Sequence, residues 1–299
     1  MDLPRASSLA KYESISTGIP DLDRKTGVGG IPLGKLTEIS GKWSAGKTTL
    51  AFQTIVQAQK KGMECVFLDA EFTFDENYAR EIGVDTDLLY LIQQPTAEQG
   101  LDVLLDVASK EKNVLMVIDS IGGLHPADEA SKSSGERTIG AQAGLIARFC
   151  RKIIPNLALN NHALIVLNHE YMEIGALRPT VKTSGGEKLS YHKSLWIRLS
   201  RTGVNMSIGE RIVGYKAEAE IRKNKVASTE RQKCTLEMEY GKGFLASANL
   251  FDAAKEAGVL REVGRTWYFG DEKLGSVSKV REALKNESFA AKVQNEIPA

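Results

Sequence analysis

The chain has 299 residues, 42% of them hydrophobic and 26% charged, and a formal net charge of +1. That composition suits one large globular domain, or one plus a small appendage, and excludes a wholly disordered chain. No apolar run approaches the ~20 residues that a membrane-spanning helix needs, and Met1 to Ser14 has no apolar stretch of signal-peptide type, so the sequence predicts a cytoplasmic protein.

Residues 1–12 read as a short arm, a candidate polymerisation segment. Gly27 to Gly30, followed by Pro32 and Gly34, reads as turns. Leu36 to Ser40 is a short strand candidate, Gly41 to Lys47 a loop, and Thr48 to Lys61 a helix free of glycine and proline. Cys65 to Asp69, Leu89 to Ile92, Val114 to Ile118 and Ala163 to Leu167 are further short strands, with a helix from about Thr96 to Lys110. These strands are continuously apolar and alternate with helices, the pattern of a mostly parallel sheet covered on both faces. Leu195 to Ser200 and Lys216 to Lys223 instead alternate polar and apolar residues, as strands with one solvated face do. The segment after Phe244 is mixed, with Trp267 and Tyr268. The expected architecture is α/β, with a core over residues 13–247 and a small C-terminal α+β domain over 248–299. Cys65, Cys150 and Cys234 lie far apart without a CxxC pair, which predicts reduced, buried thiols rather than disulfides or zinc ligands.

Charge is unevenly spread. Glu64 to Asp87 holds eight acids against Arg80 alone, whereas Arg178 to Lys242 holds fourteen Lys and Arg against seven Glu. A near-neutral chain can therefore carry a basic stripe, an electrostatic footprint for phosphates.

Gly41-Lys42-Trp43-Ser44-Ala45-Gly46-Lys47-Thr48 matches G-x-x-x-x-G-K-[ST], placed between a strand and a helix. Its glycines let backbone N–H groups face phosphate oxygens. Lys47 brings a cation to the β/γ-phosphates, and Thr48 a hydroxyl to Mg²⁺. Gly41 to Thr49 is thus the expected ATP-binding segment, with the positive end of the following helix adding to it. Asp119, closing the strand Val114 to Ile118, can hold the Mg²⁺ shell through water. Glu71 lies just past a strand in Asp69-Ala70-Glu71, where a carboxylate can polarise a water. Asp69 could serve instead, or only cap the strand.

Several segments, in order, resemble RecA-type recombinases. They are Ile15-Ser16-Thr17-Gly18, the phosphate loop, Asp69-Ala70-Glu71 with Asp75 and Tyr78-Ala79-Arg80, Val117-Ile118-Asp119-Ser120, Asn168, Thr183-Ser184-Gly185-Gly186, and Lys223-Asn224-Lys225. The likeness spans roughly residues 13 to 270. It implies a DNA-dependent ATPase that forms helical filaments on single-stranded DNA, pairs it with homologous duplex and exchanges strands in recombination and repair. A single-strand-binding protein or loader would be a further partner. The resemblance makes Glu71 the water-activating base and puts Asp75 and Tyr78 at the adenine. Lys223 and Lys225 would reach the γ-phosphate of a neighbouring subunit. Spaced by two, both lie on one face of a strand.

The same resemblance implies two DNA-binding loops, around Gly135 to Gly144 and from about Tyr171 to Gly186. Ile139 in the first, and Met172 and Ile174 in the second, are apolar wedges for bases. Gly175, Arg178, Lys182, Thr183, Ser184, Gly185 and Gly186, with Arg151 on the helix after the first loop, are phosphate contacts. Where bacterial RecA carries Asn-Gln before the second loop, this chain has Asn168-His169, as recombinases of T4-like phages do. His169 can bond to phosphate or to Glu71, with a charge that changes near neutral pH. Two other functions fit the same fold: an ATP-binding regulator of recombination without strand exchange, and a hexameric helicase-type motor.

Overall fold

The chain is described here by a computed structural model covering residues 12–127, 140–172 and 181–297. The expected arm over 1–12 lies outside the described residues except for Tyr12. The first half contains β1 (Ser14–Ile15), α1 (Pro20–Thr26), β2 (Ile31–Pro32), β3 (Lys35–Gly41), α2 (Lys47–Lys60), β4 (Glu64–Asp69), α3 (Glu76–Ile82), β5 (Leu89–Ile92), α4 (Ala97–Lys110) and β6 (Val114–Asp119). The second contains α5 (Ala141–Leu159), β7 (Ala163–Met172), β8 (Val181–Thr183), α6 (Gly186–His192), β9 (Leu195–Ile208), β10 (Arg211–Asn224), β11 (Lys233–Glu239) and β12 (Gly243–Phe244). The C-terminal part is α7 (Ala246–Glu256), β13 (Leu260–Val263), β14 (Thr266–Phe269), β15 (Glu272–Gly275), α8 (Val277–Ala283) and α9 (Glu287–Glu296).

One large sheet runs in the order β12-β11-β10-β9-β3-β7-β6-β4-β5, with β8 added to β7. From β9 to β5 every pairing is parallel, and from β9 to β12 every pairing is antiparallel. The runs Cys65–Leu68 of β4, Val114–Ile118 of β6 and Ala163–Leu167 of β7 are apolar at every position because each feeds two cores. Cys65 and Phe67, Leu115 and Val117, and Ala163, Ile165 and Leu167 face α2, against Leu50, Phe52 and Ile55. Their neighbours Val66, Leu68, Met116, Ile118, Leu164 and Val166 face α4 and α5, against Leu104, Ile146 and Ile153. Side chains of successive strand residues point to opposite faces, so two covered faces demand an unbroken apolar run. Cys65, Cys150 and Cys234 are buried free thiols.

Two strands outrun their sequence signals. β9 continues to Ile208 and β10 starts at Arg211, well beyond the expected Leu195 to Ser200 and Lys216 to Lys223. Residues 201–208 are mostly exposed on both faces, so the apolar alternation fades while backbone pairing continues. Beyond α7, a third apolar cluster joins Leu250, Phe251, Leu260, Trp267, Val280, Leu284 and Val293 beside the three-stranded sheet β13-β14-β15. No helix among the described residues is long and apolar enough to cross a membrane.

Within the sheet lies a fully buried ion pair. Glu38 on β3 and Lys193, just past α6, are 0% and 1% exposed and bond to each other. The Lys193 ammonium also lies 3.4 Å from the centroid of the Trp196 ring. Burial pulls its pKa below the usual lysine range, opposed by Glu38. Losing one partner strands the other charge, whereas neutralising both need not. Lys193→Met should therefore cost about 3–5 kcal/mol in denaturant unfolding. The double variant Glu38→Gln/Lys193→Met should recover much of that loss, and equal stability of the single variant and the parent would contradict the pairing.

Candidate functional site

The site grows from the end of β3. Gly41 pairs with His169 of β7 on one side and with Leu199 of β9 on the other. A Cβ on Gly41 would stand 2.5 Å from the Leu199 carbonyl oxygen, so no larger residue fits between the two strands. Gly46, which caps α2, has φ +92, and a Cβ there would meet the Phe244 ring at 2.6 Å. The chain thus leaves the sheet and starts a helix within five residues, which is possible because two glycines accept the crowding and the left-handed turn.

The loop and its surroundings line a cleft of about 430 Å³. Trp43, Ser44, Ala45, Gly46, Lys47, Thr48 and Thr49 form one wall. Glu71, Tyr78, Asp119 and His169 arrive from β4, α3, β6 and β7. Gly41 and Lys42 stay behind the wall and offer their carbonyls to Lys47 Nζ at 3.2 and 3.0 Å. Asp75 is also outside the lining. Its carboxylate caps α3, accepting from the Tyr78 N–H at 3.1 Å, and so aims the Tyr78 ring. The Tyr78 hydroxyl lies 2.5 Å from Thr49 Oγ1.

Three polar contacts organise the floor. Thr48 Oγ1 donates to Asp119 Oδ2 at 2.8 Å, bringing together two hard oxygen donors of the kind Mg²⁺ prefers. Burial pushes the Asp119 carboxyl up to about 6, against the Thr48 hydrogen bond and the Lys47 charge. A carboxylate so penalised gains from a cation placed beside it. Glu71 accepts from the Ser120 hydroxyl, and its Oε1 is 3.4 Å from His169 Nε2. The other imidazole nitrogen, Nδ1, is 3.3 Å from Lys47 Nζ. Asp69 is committed elsewhere, accepting from the Thr73 and Phe74 backbone N–H groups and from Gln93 Nε2. Of the two acids left open by Asp69-Ala70-Glu71, only Glu71 faces the cleft.

His169 sits between Lys47 and Glu71, and its bond to Glu71 is one that the sequence reading allowed. Burial, then the Lys47 charge, holds its pKa below the ordinary 6.5, with Glu71 opposing. In its neutral form the ring can donate from Nε2 to Glu71 and accept at Nδ1 from Lys47.

Lys223 and Lys225 are not brought to this cleft. Their ammonium groups donate to the carbonyls of Ser190 and Tyr191 at 2.5 and 2.7 Å, at the negative end of α6. Burial, then Lys225 and Lys193, pushes the Lys223 pKa down to about 8. Arg151 is exposed on α5, and with Lys188, Lys223 and Lys225 it holds the His192 pKa down, an effect second to burial. Lys188, Lys223 and Lys225 of the basic stripe thus gather with Arg151 around the end of α6.

The second expected DNA loop is partly a hairpin stem. Tyr171 and Met172 extend β7, and Val181 to Thr183 form β8 against them. The first loop is also shorter than expected, since Ala141 to Gly144 already belong to α5. Ile139, Ile174, Gly175 and Arg178 lie outside the described residues, as does the Met172 side chain. Lys182, Thr183, Ser184, Gly185 and Gly186 line a second cavity of about 660 Å³ with Tyr171 and Trp196. Asn168, one residue before His169, clamps this segment. Its side chain accepts from Ser184 N–H at 3.1 Å and donates to the Ser184 carbonyl at 2.8 Å and to Glu38. Glu170, one residue after, takes a two-pronged bond from Arg198 and one from Ser40 Oγ. The strand between cleft and cavity is therefore pinned on both sides of His169.

The sequence reading missed Arg201, Tyr215, Met238 and Tyr240 in the cleft lining. They come from β9, β10, β11 and the turn after it, and no local motif marks them.

The first 245 residues match the RecA N-terminal domain family. The protein named RecA in Aquifex pyrophilus is 36% identical over 272 residues, covering 91% of this chain and 78% of that protein. RecA of Wolinella succinogenes is 35% identical over 97% of this chain and 82% of that protein. RecA of Cereibacter sphaeroides is 32% identical over 100% of this chain and 88% of that protein.

A half-buried imidazole with a depressed pKa has a pH signature. Because its folded pKa is depressed, the stability linked to His169 is complete above the unfolded value of about 6.5 and is lost as pH falls below that value through the lower folded pKa. His169→Gln keeps a donor and an acceptor but does not titrate. The melting temperature of the variant should fall less steeply than that of the parent between pH 7 and 5, whereas parallel curves would mean the ring is not desolvated.

Proposed function

The chain belongs to the RecA family of DNA recombinases, and from that premise we propose that it is a DNA-dependent ATPase whose ATP-bound subunits assemble on single-stranded DNA, pair it with homologous duplex and exchange strands. The observation that carries this reading is the convergence of Lys47, Thr48 with Asp119, and Glu71 with His169 in one cleft, while Lys223 and Lys225 wait on a separate surface. The core over 13–247 performs the ATP chemistry, and residues 248–299, with their own apolar cluster, form an appended domain.

In this reading the triphosphate lies along the loop, over the positive end of α2. Lys47 Nζ exchanges the carbonyls of Gly41 and Lys42 for phosphate oxygens. Thr48 Oγ1 and, through water, Asp119 would hold Mg²⁺, and the ion would supply positive charge against the phosphates. Tyr78 stacks on the adenine and Asp75 fixes its approach. Glu71 takes the proton of the attacking water at a carboxylate oxygen, and the Ser120 hydroxyl and His169 Nε2 hold that carboxylate in line. A γ-phosphate drawing Lys47 away from His169 Nδ1 frees the ring to follow the phosphate. Asn168 and Glu170 transmit that movement to the segment ending in Gly185 and Gly186.

The cleft alone is short of positive charge. Among the described residues its lining has Lys47 and Arg201 against Glu71 and Asp119. Lys223 and Lys225 of a neighbouring subunit supply the missing cations when subunits stack, which makes hydrolysis depend on assembly. The lowered pKa of Lys223 fits this role, because an ammonium kept close to two others gains by meeting phosphate.

The test is steady-state ATP hydrolysis with and without single-stranded DNA. Stimulation by DNA that rising salt suppresses is the expected result. Hydrolysis indifferent to DNA would support an ATP-binding regulator instead. Glu71→Gln should bind ATP normally and lose turnover by about 10²- to 10⁴-fold. Lys47→Ala should lose nucleotide binding or turnover.

A further inference from the structure

The geometry points to Arg201 as a nucleotide-binding residue, a second cation in the cleft that grips the non-transferred phosphates of ATP. Arg201 lies two residues beyond Leu199 on β9, and Leu199 is the residue paired with Gly41 at the root of the phosphate loop. Residues two apart on a strand share a face. Leu199 packs into the core beneath α2, so Arg201 projects from the same face, level with the loop.

Its guanidinium is held by a ring rather than by a carboxylate. The central carbon lies 3.9 Å from the centroid of the Tyr215 ring, which is 3% exposed and itself flanked by Tyr240 with ring centroids 6.1 Å apart. A guanidinium stacked by its flat face keeps the N–H groups at its edge pointing outward, in the fork that matches phosphate oxygens. Among the described residues, Arg201 makes no side-chain hydrogen bond or ion pair. Arg24, Arg80, Arg198, Arg222 and Arg281 each bind a carboxylate.

The contrast with Lys47 sharpens the point. An ammonium has three donors, and Lys47 already faces the carbonyls of Gly41 and Lys42 and the His169 ring. Arg201 is the cation in this lining whose donors are uncommitted and whose position is already set. Such a group binds phosphate with little ordering cost.

The topology also says which phosphates. β3 has β7 on one side and β9 on the other. His169 and the Glu71 it faces mark the β7 side as the place of attack on the terminal phosphate. Arg201 approaches from the β9 side, on the Tyr215 ring whose hydroxyl reaches Gly46. It therefore contributes to binding ATP and ADP alike, and little to the rate of the chemical step.

This inference rests on the reading of the cleft as the ATP site, and the experiment separates the two. Equilibrium binding of ATP and of ADP to the full chain, without DNA, would be measured by calorimetry for the parent, Lys47→Ala, Arg201→Gln and Arg201→Lys. Arg201→Gln should weaken ATP and ADP equally, by about 10- to 100-fold, the loss expected for one charged hydrogen-bonding group. Arg201→Lys should recover part of that loss, which shows that charge rather than packing is at issue. If Lys47→Ala weakens both nucleotides but Arg201→Gln changes neither, the proposal for Arg201 is wrong and the ATP site stands. An effect on ATP alone would also overturn it, by placing Arg201 at the terminal phosphate. If neither variant alters binding, the proposal for Arg201 is wrong, and the ATP-site reading fails with it where Lys47→Ala also hydrolyses ATP at the parent rate.

Discussion

Everything in the site depends on where β3 ends. Gly41 is wedged between β7 and β9 at the centre of the sheet, too close to the Leu199 carbonyl for any side chain. The loop leaving that point must therefore turn at once into α2, with its backbone N–H groups and the helix end aimed at a single spot. The register of the neighbours then decides what meets the phosphates. One strand delivers His169 level with Gly41, and the other delivers Arg201 two residues further on. A shift of one residue in either pairing would turn those side chains to the opposite face.

The electrostatics follow from burial. Asp119 is pushed up towards 6 and Lys47 is pulled down, because both charges are held in a poorly solvated cleft and only partly compensate each other. Such a site is set to accept a nucleotide with its cation, since each arriving charge finds a partner already desolvated. The same logic explains the lowered pKa of His169. A charged imidazole beside Lys47 would repel it, and a neutral one can bond to Lys47 and Glu71 together. Next to it, Asn168 ties the strand to the segment at Ser184, and Glu170 ties it to β9 through Arg198. A change at the phosphate end cannot move His169 without disturbing those bonds.

Much of this was legible in the sequence, and the parts that were not share a cause. The phosphate loop, the buried strands and the roles open to Asp119 and Glu71 follow from contiguous residues, whose spacing carries the geometry. Tyr215, Met238 and Tyr240 reach the cleft through the antiparallel pairing of β10 and β11, which local pattern does not specify. Arg201 belongs to a stretch of β9 where alternation has already faded. The hairpin stem formed by Tyr171, Met172 and Val181 to Thr183 reads as loop in the sequence, because a three-residue strand leaves no periodic signal. The type of His169 is visible in the sequence, but the partial burial and the Lys47 charge that lower its pKa are not.

The central claim is that a site incomplete in one subunit is completed by Lys223 and Lys225 of the next. It is tested most directly by mixing two inactive variants, Lys47→Ala and the double variant Lys223→Ala/Lys225→Ala, and measuring ATP hydrolysis on single-stranded DNA. The first keeps its donated lysines and the second keeps its phosphate loop, so some interfaces in the mixture combine one intact half from each. The account predicts that hydrolysis returns on mixing and is absent from either protein alone. A mixture as inactive as its components, with both variants still binding DNA, would contradict it.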